Sequence, residues 1–83
     1  MDQPERTREV HIHVNERPVI LGTHEATGLV IKETAIAQHV PIQSDFVLSE
    51  ELGGHRSKVV GDEDKIDVKE GSRFLAIPPD DNS

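Results

Sequence analysis

Residues 10–21 read VHIHVNERPVIL, and this stretch decides how the fold begins. Val10–Val14 alternates three apolar residues with two histidines, and strict alternation predicts a half-buried strand. A polar break at residues 15–16 is followed by a second apolar run, Arg17–Leu21. Two such runs joined by a short polar link predict a hairpin.

The hydrophobic period changes after a polar connector at residues 22–25. Thr27 is a suitable N-cap, because its hydroxyl can accept a hydrogen bond from a free N–H of the first helical turn. The apolar spacing over residues 28–39 predicts a helix. Pro41 cannot continue that helix, so we expect it to end near His39. The predicted packed face is Leu29, Ile31, Ala35 and Ile36, and the predicted water-facing residues are Lys32, Glu33 and Gln38.

The remainder of the chain is predicted to supply the other strands. Its polar segment Ser49–Ser57 contains Gly53-Gly54 and predicts a loop. One helix packed on one face of a mixed sheet is the two-layer arrangement that suits this order of elements, so we expect an α+β fold. The predicted strands are Phe46–Leu48, Lys58–Val60 and Arg73–Ile77, with Ile66 and Val68 alternating with charged residues, and the predicted turns are Gly61–Lys65 and Glu70-Gly71.

The chain has 83 residues, no cysteine and a formal net charge of −7, from 16 acidic and 9 basic residues. This length predicts one domain, which we place at residues 9–77, between a disordered leader at 1–8 and a flexible tail at 78–83. The lack of cysteine excludes a disulfide framework and a thiolate zinc site, and it fits a cytoplasmic protein. The acidic charge argues against nucleic-acid binding. No apolar segment predicts a signal peptide or membrane span.

The histidines do not predict a metal site. His11 and His13 share one strand face at a spacing of roughly 6–7 Å, but a site normally needs three or four ligands. The others, His24, His39 and His55, are scattered through predicted loops and the helix end. We therefore expect solvent-facing histidines.

No catalytic residues and no cofactor are predicted. Ser44, Ser49, Ser57 and Ser72 have no accompanying histidine-plus-acid pattern, and there is no glycine-rich phosphate loop. The acidic residues within 62–67 share only their charge with a calcium-binding loop, because the EF-hand glycine and terminal glutamate are missing. The expectation is a protein that is not an enzyme.

Several segments resemble ubiquitin. Thr27, Ile31-Lys32 and Val40-Pro41 are similar to its helix region, Phe46–Leu48 to its third strand and Phe74–Ile77 to its last strand. The closer resemblance is to the bacterial multiubiquitin family, ubiquitin-like domains found in operons with their own conjugation enzymes. It implies the β-grasp fold, with a mixed sheet of four to five strands packed on one helix. The segments that carry this resemblance are His11–Val19, Thr27–Ala37, Asp45–Leu52, Val60–Asp64 and Gly71–Ile77.

The resemblance also implies a protein modifier, activated at its C-terminal carboxylate by an ATP-dependent enzyme and passed to a conjugating enzyme or target. The implied partners are an activating enzyme, a conjugating enzyme and a processing or deconjugating peptidase, with antiviral defence as the implied role. The conjugation tail would be Asp80, Asp81, Asn82 and Ser83, with Asn82 as the acyl donor after loss of Ser83.

The tail departs from the ubiquitin pattern. Ubiquitin-type modifiers usually expose a C-terminal diglycine, which threads a narrow active-site channel without side-chain clashes. Here Gly53-Gly54 lies in mid-chain, where cleavage would remove the last strands. Two alternatives therefore stay open: a non-covalent ubiquitin-like interaction domain, and a sulfur carrier, although sulfur carriers also depend on a terminal diglycine.

A partner-binding surface is expected at Val47, Leu75 and Ile77. If Phe74 and Ala76 face the helix, Leu75 and Ile77 face outward, and Val47 joins them by resemblance to ubiquitin's recognition face. Exposed apolar patches often mark partner surfaces. The alternative is a register shifted by one residue, which would place the same side chains in the core.

Overall fold

The computed structural model describes residues 9–79. The expected leader at residues 1–8 and the last four residues of the expected tail lie outside this range. The described elements are β1 (Val10–Val14), β2 (Arg17–Leu21), β3 (Glu25–Thr27), α1 (Gly28–Ala37), β4 (Val47–Gly53), β5 (Arg56–Val60), β6 (Lys65–Asp67) and β7 (Arg73–Ile77).

Five strands form the main sheet, in the order β2-β1-β7-β4-β5. The β1/β7 pair is parallel, and the other neighbouring pairs are antiparallel. The helix α1 covers one face of this mixed sheet, so the expected α+β β-grasp fold is confirmed. The short strands β3 and β6, which the sequence did not predict, pair in a second sheet.

The core lies between α1 and the inward face of the main sheet. As predicted from alternation, the apolar residues of β1 are fully buried, while its histidines point away from the core. The turn between β1 and β2 holds Asn15 at φ 54° and Glu16 at φ 68°, a left-handed pair that suits a two-residue hairpin. The largest fully buried side chains are Phe74, Ile12, Leu21, Ile31, Leu48, Val10, Val14, Val19 and Val68.

The helix begins as predicted and ends slightly earlier. The Oγ1 atom of Thr27 accepts a hydrogen bond from the N–H of Val30 at 3.2 Å, which confirms the N-cap. The last helical residue is Ala37, and Gln38 is the C-cap. The next residue, His39, has φ 77°, so the backbone leaves the helical region two residues before Pro41.

The predicted helix face is only partly correct. Ile31 and Ala35, four residues apart, are fully buried, but Ile36 is 37% exposed. Lys32, predicted to face water, is 3% exposed. A ten-residue helix buries a narrow stripe. Lys32 lies on that stripe beside Ile31, whereas Ile36 lies at its margin.

The predicted loop at Ser49–Ser57 is wrong. The structure has a hairpin there: β4 runs to Gly53 and β5 begins at Arg56. Its tip, Gly53 to His55, has positive φ throughout, and the register shifts between Glu51 and Gly53. Residues 49–53 are half-buried or exposed. The hairpin extends past the core and is held by its backbone ladder, so its polar composition indicated exposure and not a loop.

Gly28 joins the start of α1 closely to the end of β5. Its N–H donates to the carbonyl oxygen of Gly61 at 3.2 Å. A Cβ at this position would lie 2.8 Å from the carbonyl oxygen of Val60, closer than real Cβ atoms approach. Only glycine therefore allows this helix to sit so near the strand end.

Candidate functional site: the outer face of the sheet

Strand β7 presents alternate side chains to the two faces of the sheet. Phe74 and Ala76 are each 2% exposed and face α1, whereas Leu75 and Ile77 are 43% and 49% exposed. This alternation confirms the expected register and excludes the one-residue shift.

The three residues of the expected partner surface come together across β4 and β7. Val47 pairs directly with Ile77, and Ser49 pairs with Leu75. Val47 is itself 37% exposed, so all three point to the side of the sheet opposite α1. The structure therefore brings the predicted residues into one patch, although their binding role stays a prediction.

Val59 belongs to the same patch and was not predicted from the sequence. It lies across β4 from Leu75, because Ser49 pairs with Val59 on one side and with Leu75 on the other. Its side chain is 62% exposed. Because neighbouring strand residues point to opposite faces, burial of Val60 would have placed Val59 outward. The strand predicted around these two residues, however, is two residues shorter than β5. We call the four side chains Val47, Val59, Leu75 and Ile77 the outer apolar face.

A cleft of about 400 Å³ adjoins the outer apolar face at the β4–β5 hairpin. Leu75 borders it on the apolar side, and Glu51 and Arg56 bring opposite charges to its walls. An incoming protein surface would thus meet apolar groups in the middle and charged groups at the margin, the usual composition of a protein–protein contact. The lining residues are Ser49, Glu51, Gly53, His55, Arg56, Ser57 and Leu75.

Lys32 fixes the strand that carries Val47. Its Nζ atom donates to the carbonyl oxygens of Ser44 and Phe46, both at 2.7 Å. The same atom lies 2.8 Å from Oδ1 of Asp62, whose side chain is 54% exposed. One buried ammonium group therefore ties α1 to the segment that leads into β4 and to the loop after β5, which satisfies its three donors.

Asn15 fixes the position of β7. Its Nδ2 atom donates to the carbonyl oxygen of Ala76 at 3.0 Å, and its Oδ1 atom accepts from the N–H of Ala76 at 2.8 Å. The amide side chain thus continues the β1/β7 ladder beyond the last paired residue. It holds Ala76 inward and, by alternation, Leu75 and Ile77 outward.

The other end of the β1/β7 ladder carries a His11–Glu70 pair. Nδ1 of His11 is 2.8 Å from Oε2 of Glu70, and the His11 N–H donates to Oε1 at 3.0 Å. That backbone hydrogen bond, followed by the nearby imidazole, lowers the pKa of the Glu70 carboxyl below its ordinary value. Both side chains are more than half exposed, so the pair is a surface clamp between strand ends.

The described residues contain no cluster of three or more His, Cys, Asp or Glu side chains able to hold a metal ion. His11 and His13 share the outer side of β1, and His11 pairs with the carboxylate of Glu70. The arrangement offers docking chemistry: apolar side chains on a rigid sheet, with charges around them.

The C-terminal segment leaves the sheet beside the outer apolar face. Ile77 is the last residue of β7, and Pro78 and Pro79 follow it as exposed residues without regular structure. The expected conjugation tail, Asp80 to Ser83, lies outside the described residues. Whatever engages the face at Ile77 is therefore close to the origin of that tail.

Between residues 9 and 79, no helix combines the length and apolar character that a membrane crossing requires.

No curated protein and no solved structure matches the chain. A family model described as multiubiquitin matches residues 10–80, which include all the described elements. The protein therefore belongs to the multiubiquitin family, in agreement with its β-grasp fold and exposed sheet face.

Proposed function

We propose that the chain is a ubiquitin-like protein modifier of a bacterial conjugation pathway. An activating-type enzyme and a conjugating-type enzyme dock on the outer apolar face, and the chain's C-terminal carboxylate is the group they transfer. A peptidase trims or releases the tail. The chain itself contributes a rigid body, a docking surface and an acyl group, and the catalytic groups belong to its partners.

The observation that supports this proposal is the continuity of β7. β7 carries Leu75 and Ile77 on the outer apolar face, and the next six residues of the chain are 78–83. Six extended residues reach about 20 Å. An enzyme docked on the face would therefore have the carboxylate within reach of an active site about 20 Å from Ile77.

The proposed chemistry is a sequence of acyl transfers. A carboxylate oxygen attacks the α-phosphorus of ATP, forming an acyl–adenylate and releasing pyrophosphate. A thiolate of the conjugating-type enzyme then attacks the carbonyl carbon, forming a thioester and releasing AMP. Finally a target amine attacks the thioester, forming an amide, and its proton leaves with the thiol. Where Ser83 is first removed, water cleaves the Asn82–Ser83 peptide bond and Asn82 supplies the carboxylate.

The second candidate function is non-covalent binding through the same face. It is favoured by the composition of residues 78–83, PPDDNS, which contains no glycine to thread a narrow active-site channel. This candidate needs the outer apolar face and no chemistry at the tail.

Intact mass spectrometry separates the two candidates. The full chain, a form ending at Asn82 and a form ending at Pro79 are each incubated with ATP and the activating-type and conjugating-type enzymes of the same gene neighbourhood. We expect an adenylate or covalent adduct with the full chain or the Asn82 form, and none with the Pro79 form. Failure of all three forms would overturn the modifier proposal.

A pair of surface variants tests the docking face. Leu75→Ser removes an exposed apolar group from the outer apolar face, and Ile36→Ser removes a similarly exposed one from α1 on the opposite layer. We expect Leu75→Ser to lower adduct formation and Ile36→Ser to leave it unchanged. Equal effects would contradict the assignment of the face. If no form gives an adduct but the enzymes still bind and Leu75→Ser weakens that binding, the non-covalent function replaces the modifier.

A further inference from the structure

The two edges of the main sheet are finished differently. At the β2 edge, the side-chain amide of Gln38 pairs with Ile20 as another strand would. Its Oε1 accepts from the Ile20 N–H at 2.9 Å, and its Nε2 donates to the Ile20 carbonyl oxygen at 2.8 Å. Pro18 on the same strand has no N–H to offer. This edge is closed to a further strand.

Within residues 9–79, the β5 edge has no pairing partner over most of its length. Residues 56–60 pair with β4 along one side. Among residues 9–79, no other element hydrogen-bonds to the backbone of residues 56–59, and α1 approaches the strand only at its end, near Val60 and Gly61. In an antiparallel pair, every second residue of an edge strand points its N–H and C=O away from the partner. Those groups face solvent along β5.

The side chains of β5 point to a particular kind of added strand. Val59 is the most exposed member of the outer apolar face, at 62%. Lys58 lies on the opposite side of the sheet, paired across the ladder with Glu50. With Arg56, β5 carries two basic residues and no acidic one, in a chain of net charge −7. An added strand would meet an apolar residue on one face and a positive charge on the other.

We propose that β5 binds an extended acidic segment of another protein as a sixth strand of the sheet. In this strand an apolar side chain faces Val59 and a carboxylate faces Lys58. Main-chain hydrogen bonds would supply affinity, and the two side-chain contacts would supply selectivity. The site is separate from the chemistry at the C-terminus and stands whether or not the chain is conjugated.

A second copy of this chain is the poorer occupant. An antiparallel β5–β5 pair places basic residues of one copy against basic residues of the other, and directly opposed like charges destabilise a sheet. The local positive charge of β5 therefore favours an acidic strand over a second copy of β5.

A synthetic peptide tests the proposal directly. The probe is a fluorescein-labelled peptide of alternating glutamate and valine, which places all its valines on one face and all its glutamates on the other. Two matched peptides accompany it: one with lysine in place of glutamate, and one methylated at every second backbone nitrogen. Fluorescence anisotropy with the full chain should show binding of the first peptide only. Equal binding of the N-methylated peptide would mean side-chain docking without strand addition and would overturn the proposal.

Amide hydrogen exchange distinguishes strand addition from non-specific adhesion of the peptide to the surface, because only strand addition protects particular backbone amides. In the free chain, the β5 amides that point away from β4 should exchange faster than those that point toward it. With the glutamate–valine peptide bound, the outward set should become protected while the amides of β2 stay unchanged. Uniform or absent protection in β5 would contradict strand addition.

Two charge variants complete the test. Lys58→Glu should weaken peptide binding about threefold to tenfold, as expected when a cross-strand attraction becomes a repulsion. Lys69→Glu makes the same charge change at an exposed residue between β6 and β7 and should have no effect at moderate salt. If both variants weakened peptide binding equally, the effect would come from the net charge of the chain and not from Lys58, which would contradict the proposal. The remaining outcome is that the chain dimerises through β5 and the peptide does not bind. That result would assign the edge to a second copy of the chain and overturn the proposal.

Discussion

Replacing Lys32 with methionine tests how the outer apolar face is positioned. Methionine keeps an apolar chain of similar length on the buried stripe of α1 but removes the ammonium group. The carbonyl oxygens of Ser44 and Phe46 then lose their 2.7 Å donor in a partly buried setting. Hydrogen bonds to charged groups contribute about 1.5–3 kcal/mol each, partly recovered where water can reach the acceptor. We expect the free energy of unfolding to fall by about 2–4 kcal/mol.

The contribution of the ion pair can be separated from that of the carbonyl contacts. The Asp62 side chain is 54% exposed, so its 2.8 Å contact with Lys32 is screened by solvent. Such pairs contribute about 0–1 kcal/mol, and Asp62→Asn should therefore cost no more than about 1 kcal/mol. Lys58→Met, at an exposed position of β5, serves as the control for the chemical change itself and should be close to neutral.

Urea unfolding followed by circular dichroism gives the three free energies. For a domain of this size, a loss of about 2–4 kcal/mol corresponds to a fall in Tm of roughly 10–25 °C. A Lys32→Met variant within about 0.5 kcal/mol of the wild type would refute the reasoning. A loss in Asp62→Asn equal to that in Lys32→Met would instead assign the effect to the ion pair.

Three further perturbations follow from the packing and the ladder ends. Gly28→Ala should cost about 1–3 kcal/mol in chemical denaturation, because its Cβ meets the Val60 carbonyl, whereas Gly22→Ala, with open space around its Cβ, should be neutral. Phe74→Ala should cost about 3–5 kcal/mol, and Leu75→Ala, on the exposed side of the same strand, less than about 1 kcal/mol. Glu70→Gln should remove a stabilisation that is present at neutral pH and disappears as the pH falls through the lowered pKa of this carboxyl, so the melting temperatures of wild type and variant should converge as the solution is acidified. A difference that stays constant with pH would contradict this assignment.

The sequence predicted the strands that have one face buried in the core and the other exposed to solvent. In β1 the apolar positions alternate strictly with histidines, so the strand and its buried side could be derived. In β7 residues 74–77 are all apolar, so the sequence left two registers open. The burial of Phe74 and Ala76 in the structure is what places Leu75 and Ile77 on the exposed side of β7. The membership of Val47 needed the resemblance to ubiquitin, since cross-strand pairing between β4 and β7 is not visible in local sequence.

The sequence failed where pairing partners are distant or both faces are exposed. The β4–β5 hairpin extends past the core, so its residues carry no apolar alternation beyond Val59-Val60, and their composition is that of a loop. Lys32 has the sequence context of a solvated residue because the two carbonyl groups that accept from it lie 12 and 14 residues further along the chain. Its burial depends on a segment whose position is known only once β4 has been placed.

The unequal edges also set how many molecules can join through the sheet. Growth into a fibre requires two free sheet edges on every subunit, because each added subunit must present an unpaired edge to which the next subunit can bind. In the described sheet the Gln38 amide occupies one edge, so recruitment by strand addition ends after a single event at β5. The predicted stoichiometry is one bound strand per domain. Loss of the Gln38 amide would free the N–H and C=O of Ile20 at this edge, while Pro18 would still offer no N–H to an added strand.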